Sequence, residues 1–177
     1  DGLSAYGVLM YVQFIFIAIF IGYSIGCAPI VGFHYGAGNT SELRNMLKKS
    51  LTLMGGSGIL LSALAFLCAG ILAKIFVGYD AGLHALTVHA FRIFSFAFLL
   101  SGINIFLSSF FTALNNGAVS AAISFLRTLV FQTSTVLILP LILDVDGIWI
   151  AMTVSEICAF AVSLAFLFGK RKKYGYM

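Results

Sequence analysis

The sequence predicts an all-α, polytopic membrane helical bundle, and three observations predict it. Of the 177 residues, 61% are hydrophobic and only 9% are charged, where a soluble domain carries about 25% charged residues. A soluble domain of this size lies too close to its own surface to bury so many apolar side chains. The apolar residues also form long unbroken runs, not the ~10-residue alternating strands of a membrane barrel. Finally, a crossing helix takes roughly 20 apolar residues, so 177 residues hold five spans with short connections and leave almost nothing for a sixth. The same composition excludes ordinary soluble enzymes, nucleic-acid readers and disordered regulators.

The elements follow in order. Asp1 opens the chain with no initiator Met, basic n-region or cleavage site, so the expectation is a piece of a longer protein. The first span is 3–35, polar only at scattered Ser, Tyr, Gln and His positions, and it ends at the helix stop Gly36-Ala37-Gly38-Asn39. Thr40 or Ser41 reads as the N-cap of a short amphipathic lead, with Glu42 in its first turn and Arg44, Lys48 and Lys49 along it. The second span is 50–76, interrupted only by Lys74, and a loop over 77–83 contains Gly78, Asp80 and Gly82. The third is 86–114, with Arg92 near its start, closed by the turn Asn115-Asn116-Gly117. The fourth, 118–143, carries Arg127 and Pro140, and the turn 144–147 separates it from the fifth, 148–168, which carries Glu156. A basic tail occupies 169–177.

Charge placement sets orientation. The net charge of +4 comes largely from Arg44, Lys48 and Lys49 in one loop and Lys170, Arg171, Lys172 and Lys173 in the tail. Clusters beside apolar runs mark the cytoplasmic side of a membrane, not a nucleic-acid surface. Both segments therefore face the cytoplasm. Five spans then place the 77–83 loop and the 144–147 turn outside, where Asp80, Asp144 and Asp146 are found without a cation. A five-span unit entering from the outside matches a six-helix lobe lacking its first helix. The tail serves topology anchoring, with anionic membrane lipid as an alternative partner.

Several motifs have structural and functional readings side by side. Gly22/Gly26 and Gly32/Gly36 are GxxxG pairs, which admit a close neighbouring helix. Pro29 removes one backbone hydrogen bond inside the first span; it is either a structural kink or a break of the kind that lines transport paths. Cys27, Cys68 and Cys158 fall in three different spans, with no disulfide or metal spacing, and read as small packing residues. No Ser/His/acid or Cys/His set appears, His34, His84 and His89 lack metal spacing, and no phosphate loop exists, so the chain is not expected to be an enzyme or to hold a metal.

Ionisable groups at membrane depth weigh more, because each costs several kcal/mol unless hydrated or paired. Arg92 and Lys74 lie near span ends and can snorkel. Arg127 and Glu156 lie deeper. Arg127 precedes the middle of the 144–147 turn by about 18 residues and Glu156 follows it by about 10. At ~1.5 Å per residue their heights differ by roughly 12 Å, which predicts no direct ion pair. Gln132 is closer in height to Glu156, and a water-filled cavity is expected to satisfy both ions. Glu156 is either a reversibly protonated group or a structural carboxyl bonded to Gln132, Thr133 or Thr153. Gln13, Ser101, Asn104, Ser108, Ser109 and Thr112 add support for a cavity; Ser101, Asn104, Ser108 and Thr112 follow helical steps and share one face, which either lines a solvated path or bonds to neighbouring helices.

Taken together, these residues resemble a known family. Ala28-Pro29-Ile30-Val31-Gly32-Phe33-His34-Tyr35-Gly36-Ala37-Gly38-Asn39, ending a span before a basic lead, resembles the signature of multidrug and toxin extrusion (MATE) transporters, on Pro29, Gly32, Tyr35 and Gly36. The order downstream is also similar: Phe110-Phe111-Thr112-Ala113-Leu114, Arg127, Pro140, Gly147-Ile148-Trp149-Ile150-Ala151, then Ser155-Glu156. The resemblance covers nearly all of the chain and is closest to the bacterial drug-efflux and damage-inducible branch. It implies the eighth to twelfth helices of a twelve-helix plasma-membrane antiporter, with the N-terminal lobe of the same transporter as partner. It further implies export of small organic cations or polyaromatic drugs, coupled to Na⁺ or H⁺ with no other cofactor; the polar residues at membrane depth, Gln13, Ser101, Asn104, Ser108, Thr112, Arg127, Gln132 and Glu156, are the expected path. Departures are Thr112 where many relatives have Gln, Thr153 where Pro is usual, Glu156 where Asp is commoner, and Asn104 near an intramembrane Asp of some Na⁺-coupled relatives. Two alternatives stay open: a lipid-linked sugar flippase, which calls for more basic residues in the cavity than Arg92 and Arg127, and a non-transporting membrane subunit.

Overall fold

The computed structural model describes residues 2–177, and these are helical almost throughout. Five stretches are long and apolar enough to cross a membrane: Gly2–Gly36, Thr40–Leu67, Ala81–Ala113, Gly117–Ile138 and Pro140–Tyr174.

Helix α1, Gly2–Gly36, passes through Pro29 as one helix, with Pro29 on an exposed face, so the broken-helix reading does not hold. Helix α2, Thr40–Leu67, is capped one residue earlier than expected: the Asn39 side chain accepts from the Glu42 N–H at 3.1 Å. The basic lead is thus the first turns of the span helix itself. The second span is interrupted at Cys68, and α3, Ala69–Val77, completes it. Asp80 accepts from the N–H groups of Gly82 and Leu83, so α4, Ala81–Phe94, starts five residues before the expected 86. A short 3₁₀ turn, Ser95–Ala97, joins α4 to α5, Phe98–Ala113. Asn116 caps α6, Gly117–Phe125, by accepting from the Val119 N–H. A π-helical segment, Leu126–Gln132, leads into α7, Thr133–Ile138, and then α8, Pro140–Tyr174.

The last reversal differs from expectation. The chain makes one helical turn after Leu139, where the carbonyl of Leu139 accepts from Leu143, and then breaks at Asp144, whose φ is 50°. The reversal therefore occupies 139–144, not 144–147. Gly147 lies against the backbone of Leu139 and Pro140, where a β-carbon would collide.

Helix α5 is the central element and touches α1, α2, α6 and α8. In an apolar 18-residue stretch of each, 56% of the α4–α5 residues are buried but only 6% of the α6–α7 residues, so the latter forms an outer layer. Two apolar clusters fill the interior: one around Phe20, Phe106, Phe110, Phe111 and Tyr176, the other around Leu9, Phe91, Phe94, Phe98 and Trp149. Outward-facing Ile15, Ile25, Leu60, Ile71, Leu137 and Leu141 are exposed, as lipid-facing residues should be.

Close helix approach falls on glycines other than the expected pairs. A β-carbon at Gly58 would stand 2.8 Å from the Leu99 carbonyl oxygen, and one at Gly102 would stand 2.7 Å from the Phe20 ring. Gly22, Gly26 and Gly36 face open space, and only Gly32 approaches a neighbour, the Ala113 carbonyl on α5. Tyr35 stacks edge-on against Tyr174 at 5.5 Å, so the end of α1 docks onto the end of α8.

Candidate functional site

The site grows from three side chains on three helices. Asn104 on α5 is fully buried, Glu156 on α8 is 1% exposed, and Arg127 is the second residue of the π-helical segment. An i→i+5 segment widens the helix and re-aims its side chains, and such segments recur at functional sites. Here Arg127 Nη2 donates to Glu156 Oε1 at 2.6 Å, and Nε donates to Oε1 at 3.0 Å and Oε2 at 3.2 Å. Asn104 Nδ2 donates to Glu156 Oε2 at 2.7 Å and to the Glu156 carbonyl oxygen at 3.0 Å. The carboxylate is therefore satisfied on both oxygens by charge-assisted bonds, the condition under which a buried ion is tolerated.

This overturns the expectation that Arg127 and Glu156 stand too far apart in height to pair. Gly147 lies against Leu139; Arg127 is 12 residues before Leu139 and Glu156 nine after Gly147. At ~1.5 Å per residue the two differ in height by only about 4–5 Å, which the long Arg127 side chain spans. The alternative partners fail as well: Thr153 Oγ1 is buried without a partner, and Gln132 and Thr133 make no bond to Glu156.

The guanidinium opens on a cavity of about 360 Å³ between α1, α5 and α6. Asn104, Ser108, Ser109 and Thr112 line it from α5, Ile123, Ser124 and Arg127 from α6 and the π-helical segment, and Ile17 and Ile21 from α1. The hydroxyls bond to one another: Ser108 Oγ lies 2.8 Å from Ser124 Oγ and 3.1 Å from Ser120 Oγ, and Thr112 donates to Ser120 Oγ at 2.7 Å. Such rotatable groups can donate or accept toward a ligand.

The structure thus brings together Asn104, Ser108, Thr112, Arg127 and Glu156 of the expected path. It does not bring in the others. Ser101 is buried and donates to the Ala97 carbonyl at 2.8 Å, while Gln13 and Gln132 are half-buried away from the cavity. Pro29, Gly32, Tyr35 and Gly36 lie toward the end of α1, outside it. Ser109, expected among the polar residues of a cavity, does line it; Ser120 and Ser124 were missed, although they stand four apart on α6, a one-face spacing visible in the sequence. Arg92 lies elsewhere, its guanidinium 5.8 Å from the centre of the Phe66 ring. A larger concavity of about 570 Å³ along α2, from Lys48 to Leu60, is bounded by that helix alone and is an open helix face.

The fold and site can be set beside known proteins. The MatE family model matches residues 1–138. No curated protein matches the chain. Among solved structures, the chain is similar to an outward-facing multidrug resistance transporter of the MATE family and MOP superfamily, with TM-score 0.87 at 20% identity over 98% of this chain and 39% of that one. An inward-facing structure described in the same words gives TM-score 0.82 at 20% identity over 97% and 39%. A MOP superfamily transporter from Pyrococcus furiosus, described as having a binding pocket of reverse polarity that suggests a different function, gives 0.84 at 20% identity over 96% and 38%. The chain spans about two fifths of the length of these structures.

Proposed function

Because the chain belongs to the MatE family, we propose that it forms most of one lobe of a secondary active efflux transporter that exchanges small organic compounds for Na⁺ or H⁺. The missing partner is the other lobe of the same transporter, and the basic loop and tail face the cytoplasm of the plasma membrane. The observation that carries this reading is the Asn104–Glu156–Arg127 cluster, buried among apolar helices and open on one side to a hydroxyl-lined cavity. A polar site at this depth is costly to maintain and marks a substrate or ion pathway. The similarity of the lobe to both an outward- and an inward-facing structure supports its moving as a unit, as alternating access between repeats requires.

The flippase alternative loses support. It calls for several cations in the cavity, and Arg127 is the only Lys or Arg there among the described residues. The subunit alternative would have the stripe on α5 meet packed neighbours alone, whereas Asn104, Ser108 and Thr112 line a cavity besides bonding to α8 and α6.

The test is export by the complete transporter in an efflux-deficient host. Ser108→Leu and Ser124→Leu fill the cavity and should reduce resistance and dye extrusion at equal membrane abundance. Unchanged export in both variants would show that the cavity is not on the path.

A further inference from the structure

Resting on that transport reading, we propose that the cavity beside Arg127 receives the anionic, carboxylate-bearing end of a transported compound, not a cation. The first observation is charge. No acidic side chain lines the cavity among the described residues; Glu156, behind Arg127 and Asn104, is 1% exposed, and those two occupy both its oxygens. No carboxylate there is left for a cation. To serve one, Glu156 would have to abandon Arg127 and strand a guanidinium that is mostly buried.

The second observation is the supply of donors. A guanidinium carries five N–H donors in a rigid fork. Glu156 uses the edge formed by Nε and Nη2. Nη1 has no hydrogen-bond partner among the described residues, and the side chain is 19% exposed, toward the cavity it lines. The end-on edge, Nη1 with the second hydrogen of Nη2, is thus open to a second carboxylate through two parallel bonds. Binding there leaves the pair with Glu156 intact, and that pair fixes the guanidinium plane in advance.

The remaining walls suit such a ligand. Ser108, Thr112 and Ser124 offer rotatable hydroxyls, and Ile17, Ile21 and Ile123 form an apolar side against which a ring can lie. The cavity of about 360 Å³ has room for a single aromatic ring with its carboxylate.

Three ring compounds of similar size that differ in charge test this: radiolabelled benzoate, benzamide and benzyltrimethylammonium, bound to the purified complete transporter. Benzoate should bind about tenfold or more tighter than the other two, from two charge-assisted bonds. Arg127→Lys keeps a charge but loses the fork, and the preference for benzoate over benzamide should fall to about one. The double variant Arg127→Gln, Glu156→Gln removes both charges together and guards against a single variant that fails to fold; it should lose the preference too. Benzyltrimethylammonium binding as tightly as benzoate, no benzoate binding, or a preference that survives in the double variant would each overturn the inference. Dye extrusion by the same preparation in liposomes reads the transport function separately. Extrusion without a benzoate preference sinks only this inference, and a benzoate preference without extrusion sinks the transport reading and leaves a carboxylate site with no transported compound.

Discussion

Removing the two members of the buried ion pair one at a time should have unequal costs. Arg127→Gln strands a carboxylate that is 1% exposed, with only Asn104 still donating to it. Breaking a buried pair in this way costs about 3–5 kcal/mol. Glu156→Gln instead strands a guanidinium that keeps 19% exposure toward the cavity. It can hydrate, and the neutral amide still accepts from it, so the cost falls to about 1–3 kcal/mol. With both replaced, two amides face each other with neither charge unpaired, and the loss should be well below the sum of the single losses, a coupling of about 2 kcal/mol or more. The assay is thermal unfolding of the complete transporter in detergent, with denaturant titration to convert midpoints to free energies. The order of severity is the decisive result. If Glu156→Gln is as damaging as Arg127→Gln, or the cycle shows coupling below about 0.5 kcal/mol, the carboxylate is not held as the geometry indicates.

Other expectations follow from packing and topology. Gly58→Ala should destabilise by about 1–3 kcal/mol, because its β-carbon meets the Phe98 and Leu99 carbonyls, while Gly22→Ala, facing open space, should stay within about 0.5 kcal/mol in the same melts. Tyr176→Ala should cost about 3–5 kcal/mol, since the ring is fully buried against Phe110 and Phe111 and its hydroxyl donates to the Leu167 carbonyl. Burial raises the Tyr176 phenol above its ordinary range, with the neighbouring Tyr174 adding to the effect. Its contribution to stability should thus be complete below pH ~10 and decline as pH rises beyond that, which phenolate absorbance and melts across pH 9–12 would follow. Cysteines placed at 80 and 145 should react with an impermeant thiol reagent from outside, and those at 42 and 172 should not; the reverse pattern would invert the topology.

Composition and run length made the spans legible, because in a membrane the apolar run and the helix are the same object. The ends were less legible. Capping is decided by which side chain reaches which N–H, and Asn39, not Thr40 or Ser41, reaches Glu42. Glycine spacing was a poor guide for a related reason. A GxxxG pair states that a helix could approach, and only the three-dimensional arrangement shows that α5 meets α2 at Gly58, not α1 at Gly22 and Gly26. The polar stripe on α5 was readable from Asn104 to Thr112 because helical steps of four align those residues. Ser101 shares the same face but closes on its own helix at the Ala97 carbonyl, a local bond that periodicity does not distinguish.

The pairing of Arg127 with Glu156 was hidden by the location of one reversal. Asp144-Val145-Asp146-Gly147 has the composition of a turn, and a turn there leaves the two ions some 12 Å apart in height by the ~1.5 Å rise per residue. The chain instead turns just after Leu139, where Pro140 can begin a helical turn because its missing N–H is not needed there. The helix breaks at Asp144, whose φ of 50° and ψ of −134° lie outside the helical region, and Gly147 is then required because its helix lies against Leu139 and Pro140. Each of these residues is consistent with either reversal when read alone. What separates them is the energy of two buried ions. A reversal at 144–147 strands both ions at membrane depth, at a cost of several kcal/mol each, and one at 139–144 joins them. Charge satisfaction inside the bilayer therefore constrains hairpin register more tightly than turn composition does.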